Sequence, residues 1–504
     1  HRISTTARPF TMSLRIAILA ATVPAAALAD VGTVYAGYSM ATDCDKHANI
    51  AYDAQDLKSC LTVDDDADTY TAPDGTAYTT WEECAMAVYE SGFNSCKSGT
   101  SAVQGGTGCT TFRTLQAFST AAESKFTVSY GQPATLRNEV AWQFYNYYGS
   151  WTWGDDWMQA ATDKTGVWTD ANTAAWDGVM GDAENARKQA TKKGAGFIVN
   201  QMYAMYEYHR RANQAYNAMT GNTTVSSTEK TYSMVHGWDE GWAFFAGALE
   251  SGSGDSGIDW GLTLAEKRDG SFDTNTATYN PNGGESTVNA KMLAASQIGR
   301  DALNPFDNAT NAGAVVWDAW KCIEQQAFIP MIQGCLLYMY KSDICTSDCG
   351  DEYGEMYTFC AAMVPILNAA NPTDAATLMT YVSPDNILST GPPQTYATMS
   401  ALIYDNLNDM GLKVAEVGAC TYCGNKLSDY DTTGDSAVSN KCGFAFPVDE
   451  TADDDETAST DDDDCTKKDK AAPAVLAVGV VCMFLGAALA TFGLVKFNAA
   501  KAGA

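Results

Sequence analysis

Residues 182–219 read DAENARKQATKKGAGFIVNQMYAMYEYHRRANQAYNAM, and this stretch decides the fold class. It holds no proline and only two glycines, Gly194 and Gly196. Apolar residues recur at intervals of three and four, so Ile198, Met202, Met205 and His209 fall on one stripe of a helix. A half-buried strand would alternate with period two, and such alternation is scarce here. The spacing predicts one long helix from Asp182 to Met219.

From about residue 111 the same pattern continues on both sides of that segment. Further helices are expected at 134–148, 232–250, 285–302, 313–341, 354–369 and 394–410, which makes the architecture mainly α. A faint internal duplication runs through it. Gly196-Phe197-Ile198 opens a helix ending Tyr206-Glu207-Tyr208-His209-Arg210, and Ala327-Phe328-Ile329 opens one ending Leu337-Tyr338-Met339-Tyr340-Lys341. An acidic motif follows each, so that Glu240 aligns with Glu355, Trp242 with Tyr357 and Phe244 with Phe359. Two related helical lobes are therefore expected, at 111–280 and 281–445.

The chain ends are of a different kind. After Met12 come Arg15, the apolar run Ile16 to Leu19 and a site Ala27-Leu28-Ala29, the layout of a cleaved secretory signal at 12–29. Residues 471–495 carry no charge and are long enough for a ~30 Å hydrocarbon core. Lys496 and Lys501 follow them, so the positive-inside rule puts the tail 496–504 in the cytoplasm and the body of the chain outside. Residues 446–470 read as a solvated acidic stalk with too little apolar content to fold. These readings predict a single-pass type I plasma-membrane protein with an extracellular or periplasmic ectodomain.

Fifteen cysteines are present, and Cys482 lies in the expected span, which leaves fourteen outside the membrane. An even set in a secretory compartment predicts disulfides, with the pairing left open. Five of them, from Cys44 to Cys109, occupy a Gly/Asp/Thr-rich stretch, and residues 30–110 read as a small disulfide-stapled region. Cys420 and Cys423 have metal-site spacing, but in this compartment a disulfide is favoured. Asn222-Thr223-Thr224 and Asn308-Ala309-Thr310 are glycosylation sequons.

The net charge is −30, and the segment 449–470, with eleven acidic residues and three lysines, contributes −8 of it. The remaining −22 belongs to the rest of the chain, so the folded body itself attracts cations and repels nucleic acid and anionic lipid.

The mature chain keeps three histidines, His47, His209 and His236. His236 and Glu240 form H-x-x-x-E, which on a helix puts imidazole and carboxylate on one face, with Asp239 beside them. Glu352-Tyr353-Gly354-Glu355 is E-x-x-E with a phenol inside it. Carboxylate, phenolate and imidazole together suit a hard cation, and the same set takes calcium or manganese as readily as iron. Most such pairs in acidic proteins are surface or capping contacts, so neither motif identifies a site alone. His209, at the end of the Met/Tyr stripe, precedes Arg210 and Arg211, a cationic pair able to hold an anion. Asp64, Asp66 and Asp68 alternate like a calcium loop, but Thr69 and Gly75 stand where it needs glycine and a closing acid. There is no H-E-x-x-H, G-x-S-x-G, P-loop or G-x-G-x-x-G, so no enzyme is expected.

The run Trp238-Asp239-Glu240-Gly241-Trp242-Ala243-Phe244-Phe245-Ala246-Gly247-Ala248-Leu249-Glu250, then Leu264-Ala265-Glu266-Lys267-Arg268, resembles the low-iron-inducible periplasmic protein family of algae, which includes iron-assimilating and phytotransferrin-like proteins. Tyr147-Tyr148-Gly149-Ser150, Asp155-Asp156-Trp157 and Gly299-Arg300-Asp301-Ala302-Leu303 resemble it too, over roughly 111–370, while the segment 44–109 is not matched by these motifs and its role stays open. The resemblance implies a surface protein that binds ferric iron with carbonate as co-ligand and is then internalised through an endocytic partner. The metal ligands it implies are His236 with Glu240 and Glu352 with Glu355; the residues themselves add Asp239, Tyr353 and His209 as candidates, with Arg210 or Arg211 on the anion. The competing expectation is a metal-free surface glycoprotein for adhesion or coat structure, in which these residues would be scattered.

Overall fold

The computed structural model describes residues 34–443 apart from 64–68, 73–74, 94–113, 121–139, 175–182, 250–260, 275–285, 309 and 389. The signal, stalk, span and tail expected at 12–29, 446–470, 471–495 and 496–504 lie outside the described residues. Among the described residues no helix is long and apolar enough to cross a membrane.

The opening stretch is helical, but not in one register. An α-helix Ala183–Phe197 passes through a π-helical segment, Ile198–Ala204, into a second α-helix, Met205–Met219. A wider turn rotates the following residues about the axis, so the stripe after it faces a different neighbour. The first half packs on the Gly350–Ala370 helix and the second on Ala312–Ala327. Gly194 is small for a reason: a Cβ there would lie 2.7 Å from the Trp157 ring, whose Nε1 donates to the Ala190 carbonyl at 3.1 Å.

The other helices form near their expected places, as Val140–Tyr148, Met234–Ala246, Thr287–Leu303, Gly350–Ala370 and Tyr396–Tyr404. One expectation is corrected. The stretch 313–341 is not a single helix but two, Ala312–Ala327 and Ile329–Ile344, broken at Phe328. Pro330 lies in the first turn of the second, where its missing N–H costs nothing; inside a continuous helix it would clash with the carbonyl four residues back. Of the positions paired by the internal duplication, Phe244 and Phe359 are both fully buried.

Helices from either side of residue 280 share one hydrophobic core, and the described residues belong to one compact unit reaching Val448. The contact is close: a Cβ on Gly354 would fall 2.4 Å from the Ala186 carbonyl oxygen.

The N-terminal region also joins this core. Two short strands, Val34–Tyr35 and Tyr38–Ser39, pair antiparallel, and helices Ile50–Cys60 and Trp81–Ser91 are linked by the Cys60–Cys84 disulfide. Tyr38 stacks on Trp242, and the Trp242 indole donates to the Tyr35 carbonyl at 2.9 Å. Further disulfides join Cys322–Cys442, Cys335–Cys360, Cys345–Cys349 and Cys420–Cys423, the last as expected over a metal pair. The expected disulfides are thus present, while Cys44 is buried and free among the described residues. It faces histidine and threonine instead of a second thiol.

Candidate metal centre

Residues Glu229–Ser233 form a second π-helical turn that feeds directly into Met234–Ala246. On that helix His236 and Glu240 stand one turn apart, and His236 Nε2 lies 3.1 Å from Glu240 Oε1. A second imidazole reaches the same oxygen: His47 Nε2 is 3.0 Å away. His47 sits on the short helix Asp45–Ala48, delivered by the turn that follows the N-terminal hairpin. On the far side of the His236 ring, Nδ1 lies 3.0 Å from Thr42 Oγ1 and 3.5 Å from Cys44 Sγ. Donor atoms of Cys44, His47 and His236 all fall within 4.8 Å of one another, the one such group of three or more among the described residues. The side chains of His47, His236 and Glu240 keep about 15% exposure, at 16%, 15% and 15%, which leaves an approach from solvent. Tyr232, half exposed, stacks on His236 with ring centroids 5.0 Å apart.

Behind this face is a buried polar layer. Asp239 accepts from the Tyr38 hydroxyl at 2.6 Å, from the Thr42 amide at 2.9 Å and from the Thr42 hydroxyl at 2.9 Å. The Arg300 guanidinium lies 5.1 Å from the centre of the Tyr38 ring, donates to the Ser39 carbonyl and pairs with Asp301. Two glycines seat the helix. A Cβ on Gly237 would meet Arg211 Nε at 2.0 Å, and one on Gly299 would meet the Trp238 ring at 2.0 Å. Trp238 in turn donates to the Ser296 carbonyl at 2.8 Å.

Electrostatics divide the two adjacent carboxylates. Burial pushes Asp239 up from 3.8 to about 6, against the pull of its hydroxyl and amide donors and of Arg300. Burial acts on Glu240 in the same direction, but the hydrogen bonds from His236 and His47 outweigh it and hold Glu240 well below the usual range. Burial likewise raises the Cys44 thiol, helped by Asp239 and Glu240, and raises the Tyr38 phenol, helped by Asp239.

The raised Asp239 has a measurable consequence. A folded-state pKa above the unfolded one contributes stability that is full below about pH 4 and lost as pH rises through about 6. Asp239→Asn removes that titration, so the variant should gain on the parent by about 2–3 kcal/mol between pH 4 and pH 7.5. Urea unfolding of both proteins at the two pH values checks this; a constant difference would refute the raised pKa.

The donor set fits a metal. Two imidazoles and a carboxylate are a common set for first-row transition ions, and cis ligands at ~2.1 Å from a metal are ~3.0 Å apart. The observed 3.0 and 3.1 Å match that spacing. His47 Nδ1 is buried without a hydrogen-bond partner.

The structure thus brings together His236, Asp239 and Glu240 and adds residues the sequence reading did not select: Tyr38, Thr42, Cys44, His47 and Arg300. The overlooked signal was Cys44-Asp45-Lys46-His47, a C-x-x-H spacing in a chain with few histidines. The other expected residues sit in different surroundings. His209 is buried beside Trp317 and Trp320, with centroids 5.8 and 5.3 Å away. Arg210 pairs with Glu207 at 3.7 Å, and Arg211 lies along Gly237 with Nη1 donating to Gln214 at 3.1 Å. Glu352, Tyr353 and Glu355 occupy the first two turns of Gly350–Ala370, where Tyr353 is buried with its phenol raised by burial and Glu355 pairs with Lys193 at 3.0 Å. Asn222 is exposed and Asn308 half-buried.

A family model described as low iron-inducible periplasmic protein matches residues 11–298, a span that includes the hairpin, His47 and the His236–Glu240 helix. No curated protein and no solved structure matches the chain.

Proposed function

This chain belongs to the low iron-inducible periplasmic protein family, and we propose that it is an iron-binding protein of iron acquisition, not an enzyme, with its cargo held by His47, His236 and Glu240. The observation that carries this reading is the single Glu240 oxygen lying 3.0 and 3.1 Å from two imidazoles brought from opposite ends of the matched region. A metal-free adhesion or coat protein would have no cause to converge two of its three mature-chain histidines on one carboxylate.

The cargo is ferric iron, with carbonate as co-ligand. Asp239 and Tyr38 form an oxygen-rich layer behind the imidazoles, and Arg300 supplies a cation over Tyr38 that suits a bound anion. The family description speaks for a periplasmic or extracellular site of action. The uncharged run 471–495 would tether the protein to the plasma membrane as a type I single-pass chain. Internalisation would depend on an endocytic partner.

Titrating ferric iron into the purified full chain at pH 8 with bicarbonate tests the reading. We expect one saturable site per chain, weaker by tenfold or more without bicarbonate and again at pH 5.5, because the ligands must be deprotonated to bind. Absence of saturable binding would sink the proposal.

A further inference from the structure

We propose that Cys44, His47 and His236 form a second coordinating face of the same centre, one that takes a divalent, thiophilic cation of the zinc class. The inference rests on the reading of this cluster as a metal centre, but not on iron being its cargo.

Three observations carry it. The first is donor chemistry. Glu240 meets the Nε2 edge of His236, whereas Cys44 meets the Nδ1 edge of the same ring. Iron in the ferric state prefers anionic oxygen, while sulfur with imidazole is the donor set of zinc and its neighbours. The second is spacing. With Zn–S ~2.3 Å and Zn–N ~2.05 Å, the sulfur–nitrogen edge is ~3.6 Å in a tetrahedron and ~3.1 Å for cis octahedral positions. Cys44 Sγ lies 3.5 Å from His236 Nδ1, near the tetrahedral value. One donor atom of His47 lies within 4.8 Å of both, so the third position is closed by a rotation of that imidazole toward the sulfur.

The third observation is the cysteine's state. Of eleven cysteines in the described residues ten are disulfide-bonded and Cys44 alone is free, and it is buried against His236 and not against a second thiol. His47 Nδ1 is also buried without a hydrogen-bond partner. A metal would give His47 Nδ1 the partner it lacks and Cys44 a stronger one than its weak thiol contacts, and a water would fill the fourth position. Thr42 Oγ1, 3.6 Å from the sulfur, holds Cys44 from behind, and its 3.0 Å contact with His236 Nδ1 would give way to the metal.

Cobalt(II) is the probe, because it reports coordination number and sulfur ligation optically. Full-length protein, with the Cys44 thiol kept reduced, is titrated with cobalt(II) and then with zinc(II). The expected result is one cobalt per chain, intense visible bands of a four-coordinate site and a sulfur-to-cobalt charge-transfer band in the near ultraviolet, all displaced by one equivalent of zinc. In Cys44→Ser the charge-transfer band should vanish and cobalt affinity fall tenfold or more, while ferric binding with bicarbonate changes less than threefold. Circular dichroism of the variant checks that it folds. Cobalt bound without the charge-transfer band, a band that survives Cys44→Ser, or no cobalt binding at all overturns the proposal. If ferric iron still binds in those cases the iron reading stands; if neither metal binds, the centre itself is lost.

Discussion

Replacing His236 and Glu240 together by alanine should abolish saturable iron binding while the helical core stays folded. Glu240 Oε1 is the atom on which both imidazoles converge, so its removal takes away the anionic donor and the anchor of both rings. Loss of a single outer partner of a metal ligand typically costs 10–100-fold, and loss of two ligands should cost more than about 100-fold, or about 2.7 kcal/mol. His47→Ala should weaken binding by at least about tenfold on the same argument. The stability cost is expected to be small. All three side chains keep some exposure, and contacts of this kind contribute about 1 kcal/mol or less once solvent screening is allowed for. Glu352→Gln is the informative control, because Glu352 lies in the first turn of a different helix. Isothermal titration with ferric iron separates the outcomes. Unchanged affinity in the double variant would remove the site assignment, and a loss in Glu352→Gln would move it to the acidic motif.

The fold class was legible because helix periodicity is local: Ile198, Met202, Met205 and His209 announce a helix without help from the rest of the chain. What happens between helices was not legible. The π-helical turn at Ile198–Ala204 leaves no periodic signature in the sequence, since it alters the register of a pattern that stays apolar on both sides. Half of the candidate metal centre was readable for the same reason that the helix was, since His236 and Glu240 are neighbours by spacing alone. The other half comes from a contact nearly two hundred residues away in sequence, between the turn after Ser39 and the Met234–Ala246 helix. Cysteine parity pointed to disulfides but not to their pairing. Cys44 is held by Thr42 and His236, and no count can reveal which thiol lies beside an imidazole.

The acidic motif Glu352-Tyr353-Gly354-Glu355 supplies the second large effect, and it is one of stability. Lys193 and Glu355 are 3.0 Å apart with side chains only 3% and 8% exposed, and they tie Ala183–Phe197 to Gly350–Ala370. They do so beside the crossing that Gly354 makes possible. Lys193 Nζ also lies 5.6 Å from the centre of the Phe359 ring, so its surroundings are aromatic and poor in water. Two buried charges attract strongly but each has lost its hydration, so removing one partner costs more than the pair contributes. Lys193→Met should therefore destabilise the protein by about 3–5 kcal/mol, since it strands a carboxylate in the core. Lys193→Met/Glu355→Met should recover most of that loss, to within about 1–2 kcal/mol of the parent, because methionine fills the space without a charge. Urea unfolding of the two single variants and the double variant closes the cycle, and a coupling below about 0.5 kcal/mol would mean that the two side chains do not act as a pair. Iron affinity, measured under conditions where every variant is folded, should stay within twofold throughout. A fall confined to the variants lacking Glu355 would show that this carboxylate reaches the metal, and the motif would then have to be counted as a ligand and not as the clasp between two helices.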